Sequence, residues 1–133
     1  MLINPIWFRG GALVWMGVIF YLSSQSNLPV PPLFLGLDKV GHVIIYSILG
    51  ACLAGGFCRH PVLHLKCLLG IAGLALLYGV TDEFHQSFVP DRSMSGLDLV
   101  ADMVGGFVGA SAIGLGIRWQ WLRLVRADAK EAS

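Results

Sequence analysis

Residues 81–102 read TDEFHQSFVPDRSMSGLDLVAD and gather Asp82, Glu83, Asp91, Arg92, Asp98 and Asp102 around His85, with apolar runs on both sides. A second polar stretch, DKVGHVIIY, supplies Asp38, Lys39, His42 and Tyr46. His42 and Glu83 are candidate general acids or bases, because burial tunes such groups for proton transfer near neutral pH, and Asp82 joins them as a catalytic candidate. Lys39 and Arg92 can hold a phosphate, the arginine through a bidentate fork. Asp38, Asp82, Asp98 and Asp102 offer the oxygen ligands that a hard divalent cation bridging to phosphate prefers, although no compact ligand motif such as H-E-x-x-H is present. Tyr46, His85 and Gln86 complete the substrate-binding candidates.

Spacing decides which of these can act together. Asp38, His42 and Tyr46 are four apart and form one stripe on a helix; Asp82 and Gln86 are also four apart, and Glu83 and Gln86 three. Asp98 and Asp102 repeat the four-residue step, which sets Asp102 roughly 6 Å deeper along its helix at 1.5 Å per residue.

The elements that carry these residues are apolar. The chain of 133 residues is 56% hydrophobic and 13% charged, with a mean hydropathy of +0.72. Its charged share is about half the roughly 25% usual in soluble domains. Four runs, at about 5–24, 39–58, 67–88 and 97–118, approach the roughly 20 residues that cross a hydrocarbon core. The expected fold is therefore all-α, an integral membrane bundle of four transmembrane helices forming one domain over 1–133. Arg9 in the first run can snorkel to an interface. That run also has features of a signal peptide, but it is long enough to span and no A-x-A-like cleavage site follows. Pro90 disfavours helix at Val89, so the third helix should end near there, and the chain should turn. The tail WQWLRLVRADAKEAS starts aromatic and basic, as at an interface, and ends polar. Nine basic against eight acidic residues argue against a nucleic-acid partner, which favours a basic excess.

Four spans put the 25–38 and 89–97 loops on one side and the termini with the 59–66 turn on the other. The terminal side holds Arg9, Arg59, Lys66, Arg118, Arg123, Arg126 and Lys130; the opposite side has only Lys39 and Arg92. The positive-inside rule then predicts a cytoplasmic (inner) membrane protein with both termini cytoplasmic and the polar residues facing outward. Six of the eight acidic residues fall on that outer side. Charged groups cost about 2.5–3.5 kcal/mol each at the membrane centre and less near the interface, so a cluster should turn inward, pair and line a polar cavity.

Plainer roles compete with function at several positions. Asp38 and Asp98 can cap helix starts, Arg92 can pin a turn, and His85 can rest at the interface without duty. His60 and His64, on the opposite turn, are expected to be solvated. Cys52, Cys58 and Cys67 read as small buried hydrophobes rather than a disulfide or metal site. Gly105 and Gly109 form a GxxxG pair extended by Gly106, Ala110 and Gly114, a surface for close helix contact and for association with a second copy.

With these residues in view, the chain resembles the VanZ-like family of small bacterial membrane proteins. The resemblance lies in DKVGHVIIYSILG, residues 38–50, and DEFHQSFVPDRSMSGLDLVADMVGG, residues 82–106. It rests on Asp38, Lys39, His42, Tyr46, Glu83, Gln86, Pro90, Arg92 and Asp98. Many members carry Asn at the position of Asp102. The founding member is linked to low-level teicoplanin resistance, and the family has no settled reaction.

Two functions stay open at this point. One is an enzyme acting on a membrane lipid or lipid-linked envelope precursor with a phosphate-bearing headgroup. The other is a non-catalytic protein that binds or shields a headgroup or an amphiphilic antibiotic. Ion passage is weaker, because no ionisable residue occupies the middle of a span.

Overall fold

A computed structural model describes residues 4–26, 36–58 and 64–131. The chain is all-α. Its helices are α1 (Pro5–Ser23), α2 (Leu37–Phe57), α3 (Leu65–Gln86) and α4 (Gly96–Glu131), with no strand among the described residues. All four contain a segment long and apolar enough to cross a membrane. Large side chains such as Trp7, Leu13, Leu77 and Val108 are exposed around the bundle, as a lipid-facing perimeter requires.

The helix starts follow local chemistry. Asn4 caps α1, its side-chain oxygen accepting from the Ile6 N–H at 3.0 Å, and Pro5 fills the first helical position, where an N–H is dispensable. Gly36 precedes α2 at a φ of 106°, in a region L side chains rarely adopt. Asp38 and Asp98 sit inside the first turns of α2 and α4. They complement the helix dipole there, but neither occupies the cap position.

The helices end close to the limits of the apolar runs, except that α4 is 36 residues long and continues to Glu131. Its membrane-crossing segment ends by Gln120, so the last part of the helix extends past the apolar span. The tail thus continues as helix, beyond the expected end at 118.

Two apolar chains in lipid gain little from hydrophobicity when they meet, so helix association depends on close packing. Between α2 and α4 that packing is made of glycine. A Cβ at Gly50 would strike the backbone of Gly106, one at Gly105 would lie 2.6 Å from the Val43 carbonyl oxygen, and one at Gly109 would overlap the Ser47 carbonyl. Gly106 also meets Ala75 of α3. The Gly105/Gly109 face is therefore covered by α2 of the same chain.

Directional contacts bring α1 against α2 and α3. Trp15 Nε1 donates to the Ile45 carbonyl at 2.8 Å, Tyr78 Oη donates to the Met16 carbonyl at 2.6 Å, and Arg9 Nε donates to the Gly56 carbonyl at 2.9 Å. Arg9 also lies over the Phe57 ring, so it is tied to the end of α2 rather than only reaching for the interface. The core joins Ala12 and Ile19 of α1 to Tyr46 and Leu49 of α2 and Ala75 of α3.

The cysteine expectation is also corrected. Cys58 and Cys67 form a disulfide across the α2–α3 hairpin, with Cα atoms 6.6 Å apart, and Cys52 is free and partly buried. His64 is exposed at the start of α3, whereas His60 lies outside the described residues.

Candidate functional site

The glycine seam sets two helices side by side at the end where α2 and α4 both begin. The contacts advance together along both chains, from His42 with Asp102, to Tyr46 with Gly105, to Ser47 with Gly109. The two helices therefore run in parallel, and the small residues lower in the seam fix the approach of the polar residues above.

His42 is the centre of the arrangement. Its Nδ1 lies 2.8 Å from Asp102 Oδ1, and because a carboxylate accepts, this nitrogen carries the proton. Its Nε2 lies 3.8 Å from Asp98 Oδ2. Asp98 and Asp102, one helical turn apart, thus face the two nitrogens of one ring, and only Asp102 is within hydrogen-bond distance. The other Asp98 oxygen, Oδ1, pairs with Lys39 Nζ at 2.6 Å, and the same ammonium reaches Asp38 Oδ2 at 2.6 Å. Burial deepens along this series: the Asp38 side chain is 48% exposed and that of Asp102 only 1%.

α3 completes the cluster. Glu83, 1% exposed, accepts the Ser95 backbone N–H through Oε2 at 2.7 Å, which ties the end of α3 to the start of α4. Asp82 accepts from Gln86 Nε2 at 3.1 Å. Asp102 packs on Gly79, where a Cβ would lie 2.5 Å from its Oδ2. Several buried oxygens have no protein partner: Tyr46 Oη, Asp82 Oδ1, Glu83 Oε1 and Asp102 Oδ2. A buried polar atom left unmatched costs about 1–3 kcal/mol, more if charged, so such a concentration marks a place built for something besides packing.

A cavity of about 170 Å³ opens beside this cluster. Its lining is mixed, with apolar Ile19 and Leu22 of α1 and Leu37 and Ile45 of α2 beside polar Ser23, Asp38, His42, Tyr46, Asp82, Gln86 and Arg92. Arg92 Nε donates to the Gln25 carbonyl at 3.3 Å, which draws the α3–α4 loop toward the end of α1. The turn after Pro90 contains Asp91 at a φ of 62°, a left-handed position that aspartate tolerates.

The residues singled out from the sequence separate into three groups. Asp38, His42, Tyr46, Asp82, Gln86 and Arg92 share the cavity, whereas Glu83, Asp98 and Asp102 stand behind His42, joined through Lys39 to the mouth. His85 belongs to neither. Its ring stacks on Phe20 with centroids 4.2 Å apart, and its Nε2 lies 3.0 Å from Ser24 Oγ, so it fastens α3 to α1. It does not line the cavity with the other substrate-binding candidates. The α1 contribution to the lining was missed in the sequence, although helix alternation already put Ile19 and Leu22 at the polar end, three apart on one face.

Four apolar helices around a polar cluster at one end define a multi-pass membrane protein with a terminal, partly enclosed site. The chain belongs to the VanZ/LLP1 family, whose model matches residues 10–117 and so covers every residue of the site. No curated protein and no solved structure matches the chain.

Proposed function

We propose that this protein binds the headgroup of a cell-envelope lipid or lipid-linked precursor in the cavity beside His42, on the outer side of the cytoplasmic membrane. The carrying observation is that this cavity, at one end of the bundle, joins apolar side chains of α1 and α2 to polar ones of α2, α3 and the α3–α4 loop. An amphiphile presents the same combination. The cavity falls below the 300–1,000 Å³ typical of drug-sized ligands, so it suits part of a headgroup rather than a whole lipid. Lys39 is already shared between two carboxylates, which leaves Arg92 as the cavity's own cation for a phosphate. Asp38 and Asp82 suit sugar hydroxyls or amines. The same features would hold an amphiphilic antibiotic, in keeping with the family's link to teicoplanin.

A catalytic reading is favoured by one contact. Asp102 orients His42 through Nδ1 and leaves Nε2 as the nitrogen able to take a proton, the arrangement by which a carboxylate positions a histidine base. Glu83 is a weaker candidate, because it faces away from the cavity and holds Ser95.

Detergent-purified protein incubated with envelope lipids should retain a phosphate-bearing lipid, read by thin-layer chromatography of the extract. Arg92→Ala should lower retention about tenfold, the loss expected for a charge-assisted hydrogen bond of about 1.5 kcal/mol. Equal retention in the variant would refute the headgroup reading. Conversion of the retained lipid, absent in His42→Ala, would add the catalytic step.

The outward orientation has its own check. Ser93 is exposed in the α3–α4 loop, so Ser93→Cys should react with a membrane-impermeant maleimide in intact cells. Reaction only after lysis would reverse the orientation. The Cys58–Cys67 disulfide gives this test weight, because it lies at the end assigned to the reducing cytoplasm, where disulfides are rare.

A further inference from the structure

We infer that His42, Glu83 and Asp98 form a binding site for one divalent transition-metal ion, of the Mn²⁺ to Zn²⁺ series, behind the cavity. One potential ligand atom from each residue lies within 4.8 Å of the other two. The three come from α2, α3 and α4, so the site exists only when those helices are assembled.

Acidic clustering alone would not carry this. The second observation is Glu83, which is 1% exposed and keeps Oε1 without any partner while Oε2 is occupied by the Ser95 N–H. An ionised carboxylate in that position lacks a counter-charge. Lys39 does not supply it, since its ammonium lies between Asp38 and Asp98. The buried carboxylates Asp82, Glu83, Asp98 and Asp102 therefore outnumber the described cations that touch them, Lys39 and, when protonated, His42. Buried charge without a partner is strongly unfavourable, and a divalent ion offsets most of the imbalance.

The histidine is prepared for the role. Metal-bound histidines almost always donate their other ring N–H to a carboxylate or carbonyl, which fixes the ring and its tautomer. His42 donates from Nδ1 to Asp102 and turns Nε2 toward Asp98 Oδ2, 3.8 Å away. Two unprotonated acceptors facing each other at that distance call for a cation between them or a second proton on the ring. Asp102 is thus a positioning residue. One imidazole and two carboxylates favour a borderline transition-metal ion over Mg²⁺ or Ca²⁺, which prefer all-oxygen surroundings. Because His42 also lines the cavity, such an ion would lie next to a bound headgroup, and with Nε2 on the ion His42 would not act as the base. The ion site itself does not depend on the headgroup reading.

The test uses the full chain in detergent, stripped with EDTA and titrated with Mn²⁺ alone. We expect one Mn²⁺ per chain, a rise in thermal midpoint on loading, and nitrogen coupling from His42 in the pulsed electron paramagnetic resonance spectrum. His42→Gln and Glu83→Gln should each weaken binding at least tenfold, the first with loss of the nitrogen signal. Asp102→Leu should weaken it 10–100-fold, as removal of an outer-shell partner does. Asp91→Asn, in the exposed loop, should leave it unchanged. Absence of stoichiometric Mn²⁺ and Zn²⁺ binding in the wild type would overturn the proposal and assign protons to the cluster instead. So would bound Mn²⁺ without nitrogen coupling, a result that needs no variant to fold. Metal binding with no lipid retention would remove the headgroup reading alone.

Discussion

Gly109→Leu is expected to prevent assembly of the bundle. A Cβ at this position overlaps the Ser47 carbonyl, and the Ala51 backbone nitrogen is 2.8 Å away. Ordinary overpacking costs about 1–3 kcal/mol because neighbouring side chains give way. Here the obstacle is the backbone of α2, which cannot rotate aside, so the cost should reach or exceed about 3 kcal/mol. The variant should lose its monodisperse elution in detergent or melt far below the wild type. Gly116→Leu is the matched control, since a Cβ there meets nothing within 4 Å. Equal melting of Gly109→Leu and wild type would mean that α2 and α4 do not approach as described. The same seam sets His42 against Asp98 and Asp102, so partly folded Gly109 variants should lose Mn²⁺ binding before they lose helix content.

The second large effect is expected at His42. Replacement by alanine removes the donor from Asp102, whose side chain is 1% exposed and whose Oδ2 already lacks a partner. Leaving a buried acceptor without its donor costs about 1–3 kcal/mol, and more for a charged group such as this carboxylate. His42 retains some exposure, at 18% of its side chain, so the cost should stay near about 3 kcal/mol. Thermal or denaturant unfolding in detergent reads this directly. Asp102→Asn should be far milder, because the amide oxygen still accepts from Nδ1.

Much of this arrangement was legible in the sequence, for reasons that can be traced to particular residues. Apolar runs gave the helices, and alternation of direction brought the beginnings of α2 and α4 to the same end as the close of α3. The four-residue steps from Asp38 to His42 to Tyr46, and from Asp98 to Asp102, correctly grouped residues on their faces. What periodicity could not give was the partner of each face. Gly105 and Gly109 announce a close approach without naming the helix that makes it, and α2 proved to be the occupant.

The separation of His85 from the cluster was readable. It follows Glu83 by two positions, about 200° around a helix, so the two cannot face the same neighbour. Glu83 turns to α4 and His85 to α1. The length of α4 was also available. No glycine or proline follows Gly116, and the arginine-, leucine- and alanine-rich tail favours helix after the apolar run stops. Lys39 shows the opposite case. Its charge suggested phosphate, but only the approach of α4 reveals that Asp98 claims it.

The central claim is that polar groups sixty residues apart meet at one end of the bundle, and the His42–Asp102 contact is its sharpest instance. A double-mutant cycle on unfolding free energy, using His42→Ala, Asp102→Ala and the double variant in EDTA, measures that contact without any bound cation. The contact predicts a coupling of at least about 1 kcal/mol, with the double variant less destabilised than the two single changes together. Additive effects, with a coupling indistinguishable from zero, would contradict it.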